Sequence, residues 1–205
     1  QAATFIGVET TFCGDEFPFI VQNRTMAGQF SAHVMTSIIS GFIISFPYIL
    51  YEFWKFISPG LLEKEKAKSR GFIFVSSMLF FIGVLFGYYI ISPLSINFLG
   101  TYQVSSQVLN EIDLGSFISL VRSSAIASGI IFELPIIIYF LTKAGVVTPE
   151  SLVKYRKYAL VLVLVLAAII TPPDVASQII VAIPIVVLYQ VSIFISRIVI
   201  KNQTK

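Results

Sequence analysis

The chain has 205 residues, 56% of them hydrophobic and 12% charged, with a mean hydropathy of +0.88 and a net charge of +3. A soluble domain carries about 25% charged residues, so this composition excludes an ordinary soluble domain and points to one integral membrane domain over residues 1–205. Strict apolar/polar alternation is missing, which removes support for a transmembrane β-barrel, and a lone Cys13 beside a lone His33 makes neither an internal disulfide nor a metal site.

Residues 1–33 have no basic start and no continuous apolar stretch, so they do not read as a signal peptide. They are expected outside the cytoplasm, and an outside N-terminus without a signal peptide implies a further span upstream. The first span is predicted over about 34–57, bent at Pro47. It runs into FISPGLLEKEKAKSR, where Pro59-Gly60 is a turn signal and Glu63 and Glu65 alternate with lysines. Such a loop, 58–70, is most simply solvated and self-neutralising, but exposed carboxylates would also suit guanidinium groups of a partner.

Spans are then predicted over about 71–91, 117–141, 158–171 and 178–197, giving an all-α, polytopic transmembrane helical bundle of five spans. Lys55, Lys64, Lys66, Lys68 and Arg70 flank the first loop, and Lys143, Lys154, Arg156 and Lys157 the loop 142–157. Arg197, Lys201 and Lys205 end the chain, while the loops 92–116 and 171–177 hold no Lys or Arg. Basic residues stay on the cytoplasmic side, so 58–70, 142–157 and the tail 198–205 are expected there.

The third span contains GIIFELPIII, residues 129–138. A carboxyl at mid-span costs about 2.5–3.5 kcal/mol on insertion scales, so Glu133 demands an explanation. Pro135 removes a backbone donor in the same turn and frees the carbonyl of Ile131. Two readings fit Glu133: a carboxyl bonded locally to the broken backbone, or a polar spot facing a cavity or a partner helix. Intramembrane acids usually mark working sites, which favours the second. Arg122 lies eleven residues earlier on the same face, about 16 Å away, and is expected to snorkel to the outer interface. Ser124/Ser128 and Ala125/Gly129 are spaced for close helix packing.

Thr148-Pro149-Glu150 reads as an N-cap, a proline in the first turn and a first-turn acid, so the fourth helix is predicted to begin near Pro149. The last two spans read as short, so either the bilayer thins locally around them or they need protein neighbours, with local thinning as the hypothesis. In ITPPDVASQ (170–178) two prolines stop the fourth span and Asp174 is placed to cap the fifth, which Pro184 bends. Neither a nucleophile elbow nor a phosphate-binding glycine loop nor a basic–aromatic nucleic-acid face occurs, so an enzyme is not expected.

Several segments together resemble the TatC family, the core subunit of the twin-arginine protein translocase. They are FPYILYEFWKFISPGLLEKEK (46–66), DLGSFI (113–118), FELP (132–135), VTPESLVKYRKYALV (147–161), ITPPDVASQ (170–178) and AIPIVVLYQ (182–190). Their order and intervals fit over about residues 28–197. The resemblance implies a six-span bundle with a concave face in the bacterial cytoplasmic (inner) membrane, its C-terminus cytoplasmic. It implies no cofactor, no metal and no catalytic residue. The implied role is to bind twin-arginine signal peptides of folded precursors and to recruit single-span TatA- and TatB-type partners, within a homo-oligomeric complex driven by the proton-motive force. By position, Glu65 and Phe56, with Pro59, Gly60 and Leu61, correspond to the signal-binding region. Glu133 corresponds to the embedded acid on the concave face, with Pro135 beside it in the partner-binding set, and Phe30, Asp113, Asp174 and Gln178 correspond to outer-side positions. The family's first span and acidic N-terminal segment have no counterpart, and neither does Arg122. The competing reading is a proton- or ion-coupled secondary transporter with Glu133 as its relay, which predicts further buried ionisable partners and a repeated architecture. A purely structural membrane subunit is a third.

Overall fold

The computed structural model of the chain describes residues 20–57, 69–105, 111–171 and 175–203. Helix dominates them, because in a long apolar chain only intra-segment hydrogen bonds satisfy the backbone within lipid. A short strand β1 (Ile20–Gln22) precedes α1 (Gly28–Ile57) and α2 (Ser69–Phe86). A π-helical turn, Gly87–Ile91, carries α2 into α3 (Ser92–Thr101). Strand β2 (Glu111–Asp113) leads directly into α4 (Leu114–Phe132), and α5 (Leu134–Lys143) continues past a break. Then come α6 (Pro149–Lys154), α7 (Arg156–Ile170) and α8 (Val175–Gln203).

Among the described residues four helical stretches are long and apolar enough to cross a membrane: Gly28–Lys55, Ile73–Thr101, Leu114–Lys143 and Ser177–Lys201. Of the two spans expected to be short, that over 158–171 is α7, whose 15 residues reach about 22 Å against a core of roughly 30 Å. The last is instead the 29-residue α8, which is long enough to cross because its helix runs on past residue 197. The second helix departs most from expectation. Instead of a loop from residue 92, helix continues to Thr101, since Pro93 falls in the first turn of α3 and needs no donor there. The π turn absorbs the change of register, with both the amide and the hydroxyl of Ser92 donating to Gly87 O, the latter at 2.8 Å. The two three-residue strands pair in parallel, Ile20 with Glu111 and Gln22 with Asp113. They are too short to leave a period in the sequence.

Thr148 caps α6 as expected, in a reciprocal box with Ser151: Ser151 N donates to Thr148 Oγ1 at 3.3 Å and Thr148 N to Ser151 Oγ at 3.1 Å. The helix then breaks at Tyr155 before α7.

Helix α4 is the hub, packed against α1, α2, the π turn and α3, with α5, α7 and α8 also in contact. Burial is inverted relative to a soluble domain. Ser76, Ser95, Ser124, Ser128, Ser192 and Ser196 are buried, while Ile44, Phe74, Leu162, Ile169 and Phe194 are exposed. Lipid is as apolar as leucine, so helices associate through small residues that let backbones approach, and large apolar side chains face the hydrocarbon. Ile91, Val163, Ala167, Val181, Ala182 and Ile185 form the apolar core that locks α7 and α8 onto the π turn.

Candidate functional site

The break between α4 and α5 follows from Pro135. Lacking an N–H, it cannot continue the ladder of α4, and it settles in the first turn of α5, where no donor is required. Glu133 is the hinge residue, with φ −75° and ψ −5°. Its amide closes α4 on Ile130 O at 3.1 Å, and its carbonyl opens α5 by accepting from Ile136 N at 2.9 Å and Ile137 N at 3.0 Å. The neighbours Ile131 and Leu134 pack against the α7–α8 core. The carboxyl points instead toward α2, where Ser76 Oγ donates to Glu133 Oε2 at 2.5 Å.

Two glycines bring α2 that close. A Cβ on Gly83 would lie 2.8 Å from both Phe132 Cβ and Ser128 O, and one on Gly129 would lie 2.8 Å from Phe80 Cε2. Phe80 is fully buried and stacks on Phe46 of α1 with ring centroids 3.5 Å apart, while Phe86 packs on Phe132 at 5.5 Å. Glu133 is thereby enclosed, with 7% of its surface exposed. The carboxyl of the isolated chain is therefore shut inside the α2–α4 seam rather than open on a surface groove. Only half of it is satisfied: Glu133 Oε1 is buried and has no hydrogen-bond partner among the described residues. Such an orphan acceptor in low dielectric is rare and costly.

The remaining candidates are scattered. Phe56 lies in the last turn of α1, whereas Pro59, Gly60, Leu61 and Glu65 lie outside the described residues, as does Asp174. Phe30 is exposed on the first turn of α1. Asp113 caps α4, its Oδ2 accepting from Ser116 N at 3.2 Å and its Oδ1 from Arg24 N at 3.4 Å. Gln178 Nε2 donates to Leu164 O at 2.9 Å and braces α8 against α7. Asp113 and Glu133 stand at opposite ends of α4, about 30 Å apart along its axis, so they are two places rather than one site. Among the described residues no group of three His, Cys, Asp or Glu side chains comes together as a metal site would require.

Sequence reasoning missed Ser76, the partner of the acid. A serine in an apolar span was the available signal, but nothing in the sequence says which helix it faces. It also missed the clasp Arg24–Glu111, 2.9 Å, across β1 and β2, and the tie from Thr142 Oγ1 to Ser196 Oγ, 2.9 Å, which joins α5 to α8.

The family model described as Sec-independent protein translocase protein (TatC) matches residues 9–184. The chain is 50% identical over 183 residues to the Sec-independent protein translocase protein TatC of Blattabacterium sp. subsp. Periplaneta americana (strain BPLAN), covering 89% of this chain and 69% of that protein. It is 43% identical to the TatC of Aquifex aeolicus (strain VF5), covering 80% of this chain and 68% of that one. With TatCy of Bacillus subtilis (strain 168) the identity is 40%, over 78% of this chain and 63% of the relative. Among solved structures, a crystal structure of the twin arginine translocase receptor TatC superposes with a TM-score of 0.70 at 38% identity, covering 88% of this chain and 79% of that one. A second crystal structure of that receptor, in DDM, gives a TM-score of 0.74 at 36% identity, covering 94% and 86%.

Proposed function

The chain belongs to the TatC family of Sec-independent protein translocase proteins, and from that membership we propose that it acts as the receptor subunit that captures twin-arginine signal peptides and docks single-span partner helices. Its role is that of a polytopic translocase component and not of an enzyme. The chain spans about two thirds of the length of the relatives it matches (69%, 68% and 63%), so what the whole translocase binds and carries is our reading. In that reading the loop 58–70 faces the cytoplasm with the tail 198–205, in a bacterial inner membrane. Glu65 takes the guanidinium pair through charge-assisted bonds, with Phe56, Pro59, Gly60 and Leu61 shaping the loop.

One observation carries the docking half: the carboxyl of Glu133 sits within a spanning stretch with one oxygen held by Ser76 and the other unpartnered among the described residues. A half-satisfied carboxyl is the place where a polar donor on an incoming helix gains most, by reaching the unpartnered Oε1 at the α2–α4 seam while Ser76 keeps its bond to Oε2. The transporter reading needs a second ionisable group beside Glu133, whereas its observed partner is a serine hydroxyl.

The capture half is tested by photocrosslinking a twin-arginine peptide to residues 56–70 in membranes carrying the translocase. Glu65→Gln is expected to abolish the crosslink that depends on the arginine pair. Unchanged crosslinking would take the capture role away from Glu65.

A further inference from the structure

A second polar feature lies at the Leu114 end of α4. A groove of about 720 Å³ is lined there by Asp113, Ser116, Ser119, Arg122 and Ser123, with apolar walls that include Leu99 and Ile169. Ser116, Ser119 and Ser123 fall on one stripe of α4 and are all exposed, although they belong to a stretch apolar enough to span a membrane. Hydrocarbon offers such hydroxyls no acceptor beyond the carbonyls of their own helix, one of which Ser123 uses, its Oγ donating to Leu120 O at 3.1 Å.

Arg122 sharpens the problem. Its guanidinium carries five N–H donors, and one nitrogen, Nη1, donates to Ala32 O at a long 3.4 Å. No carboxylate lies within 4.0 Å of it among the described residues. A charge inside a span calls for a countercharge, and here the chain's described residues supply none. Side chains lean toward the N-terminus of their helix, so Arg122 reaches toward Asp113, whose Cα is about 13.5 Å away along the axis. Each oxygen of Asp113 accepts a single long amide bond, at 3.4 and 3.2 Å, and has a second lone pair to offer. The groove thus holds a cation and an anion that face one space without pairing.

We propose that this groove seats the headgroup of an aminophospholipid, its phosphodiester on Arg122 with the hydroxyl of Ser119 and that of Ser123 turned from Leu120 O, and its primary ammonium on Asp113. The phosphodiester supplies acceptors to a row of donors, and the ammonium supplies donors to the carboxylate. The apolar walls suit the glycerol and the first methylenes of the acyl chains. Free phosphate satisfies only the Arg122 half. The site is separate from Glu133, about 16 Å further along the helix from Arg122, and does not depend on signal-peptide binding.

The test is native mass spectrometry of the chain in detergent micelles, incubated in turn with phosphatidylethanolamine, phosphatidylcholine, phosphatidylglycerol and inorganic phosphate. The expected result is retention of a single phosphatidylethanolamine at least about tenfold more tightly than any of the other three, a preference lost in Arg122→Gln. Equal retention of all four, a preference for phosphatidylglycerol, or retention unmoved by Arg122→Gln would overturn the proposal. Should Arg122→Gln fail to fold, the double variant Ser119→Val/Ser123→Val decides, since its positions are exposed. Weakened phosphatidylethanolamine retention supports the site, and unchanged retention rejects it.

Discussion

Ser76 and Glu133, 57 positions apart in sequence, meet across the α2–α4 seam at 2.5 Å, Ser76 Oγ donating to Glu133 Oε2. The bond joins the spanning stretch Ile73–Thr101 to the broken stretch Leu114–Lys143 at the residue where the break occurs. It anchors one carboxyl oxygen and leaves the other without a partner among the described residues. The seam is therefore both a packing contact, set by Gly83 and Gly129, and a polar contact that another helix could complete.

Removing the hydroxyl tests the polar half of the seam. Ser76→Ala leaves both oxygens of a buried carboxyl unsatisfied and should cost about 1–3 kcal/mol in unfolding measured in mixed micelles. Combined with Glu133→Met the two losses should fall short of additive, because the second change removes the group that the first strands. Strict additivity would mean that the two side chains do not interact.

Packing is tested by two glycines of opposite circumstance. Gly83→Ala places a Cβ against the backbone carbonyl of Ser128, 2.8 Å away, and should destabilise by about 1–3 kcal/mol as the helices separate. Gly41 in α1 has nothing within 4 Å of an added Cβ, so Gly41→Ala should be neutral or stabilising by up to about 1 kcal/mol. Thermal unfolding of the two variants side by side provides the check.

The hairpin of α7 and α8 is braced by Gln178, whose side-chain amide donates to Leu164 O. Gln178→Leu should loosen it by about 0.5–1.5 kcal/mol, read as faster amide exchange in α7 with α1 and α2 unaffected.

At the other end of that hairpin, Thr148→Ala removes the capping box and should cost about 1 kcal/mol. Exchange confined to residues 149–154 would report the fraying; exchange that spread through α7 would show that the break at Tyr155 does not isolate α6.

The elements that were legible in the sequence are those whose cause is local. Composition announced the membrane, Pro135 announced the break at Glu133, and Thr148-Pro149 announced a helix start. What escaped depends on encounters between distant segments. Hydropathy does not change across Gly87–Ile91, so the π turn and the continuation of helix to Thr101 left no trace. Three-residue strands have no period to detect. Arg122 was expected to snorkel to an interface, and its link to the carbonyl of Ala32 depends on where α1 begins. Nor could the sequence tell that Glu133 would turn inward to a serine, because the direction a carboxyl faces is set by which helix the glycines admit.

The central claim is that the enclosed carboxyl of Glu133 receives a partner helix. Its most direct test places a photoreactive residue in the span of a TatA-type partner and maps crosslinks to the α2–α4 seam in wild-type and Glu133→Leu membranes. Loss of one interhelical hydrogen bond, about 1–2 kcal/mol, predicts a roughly five- to thirtyfold fall in crosslinking at Ser76 and its neighbours. A Glu133→Leu chain that stays folded and crosslinks there as well as the wild type would contradict the account.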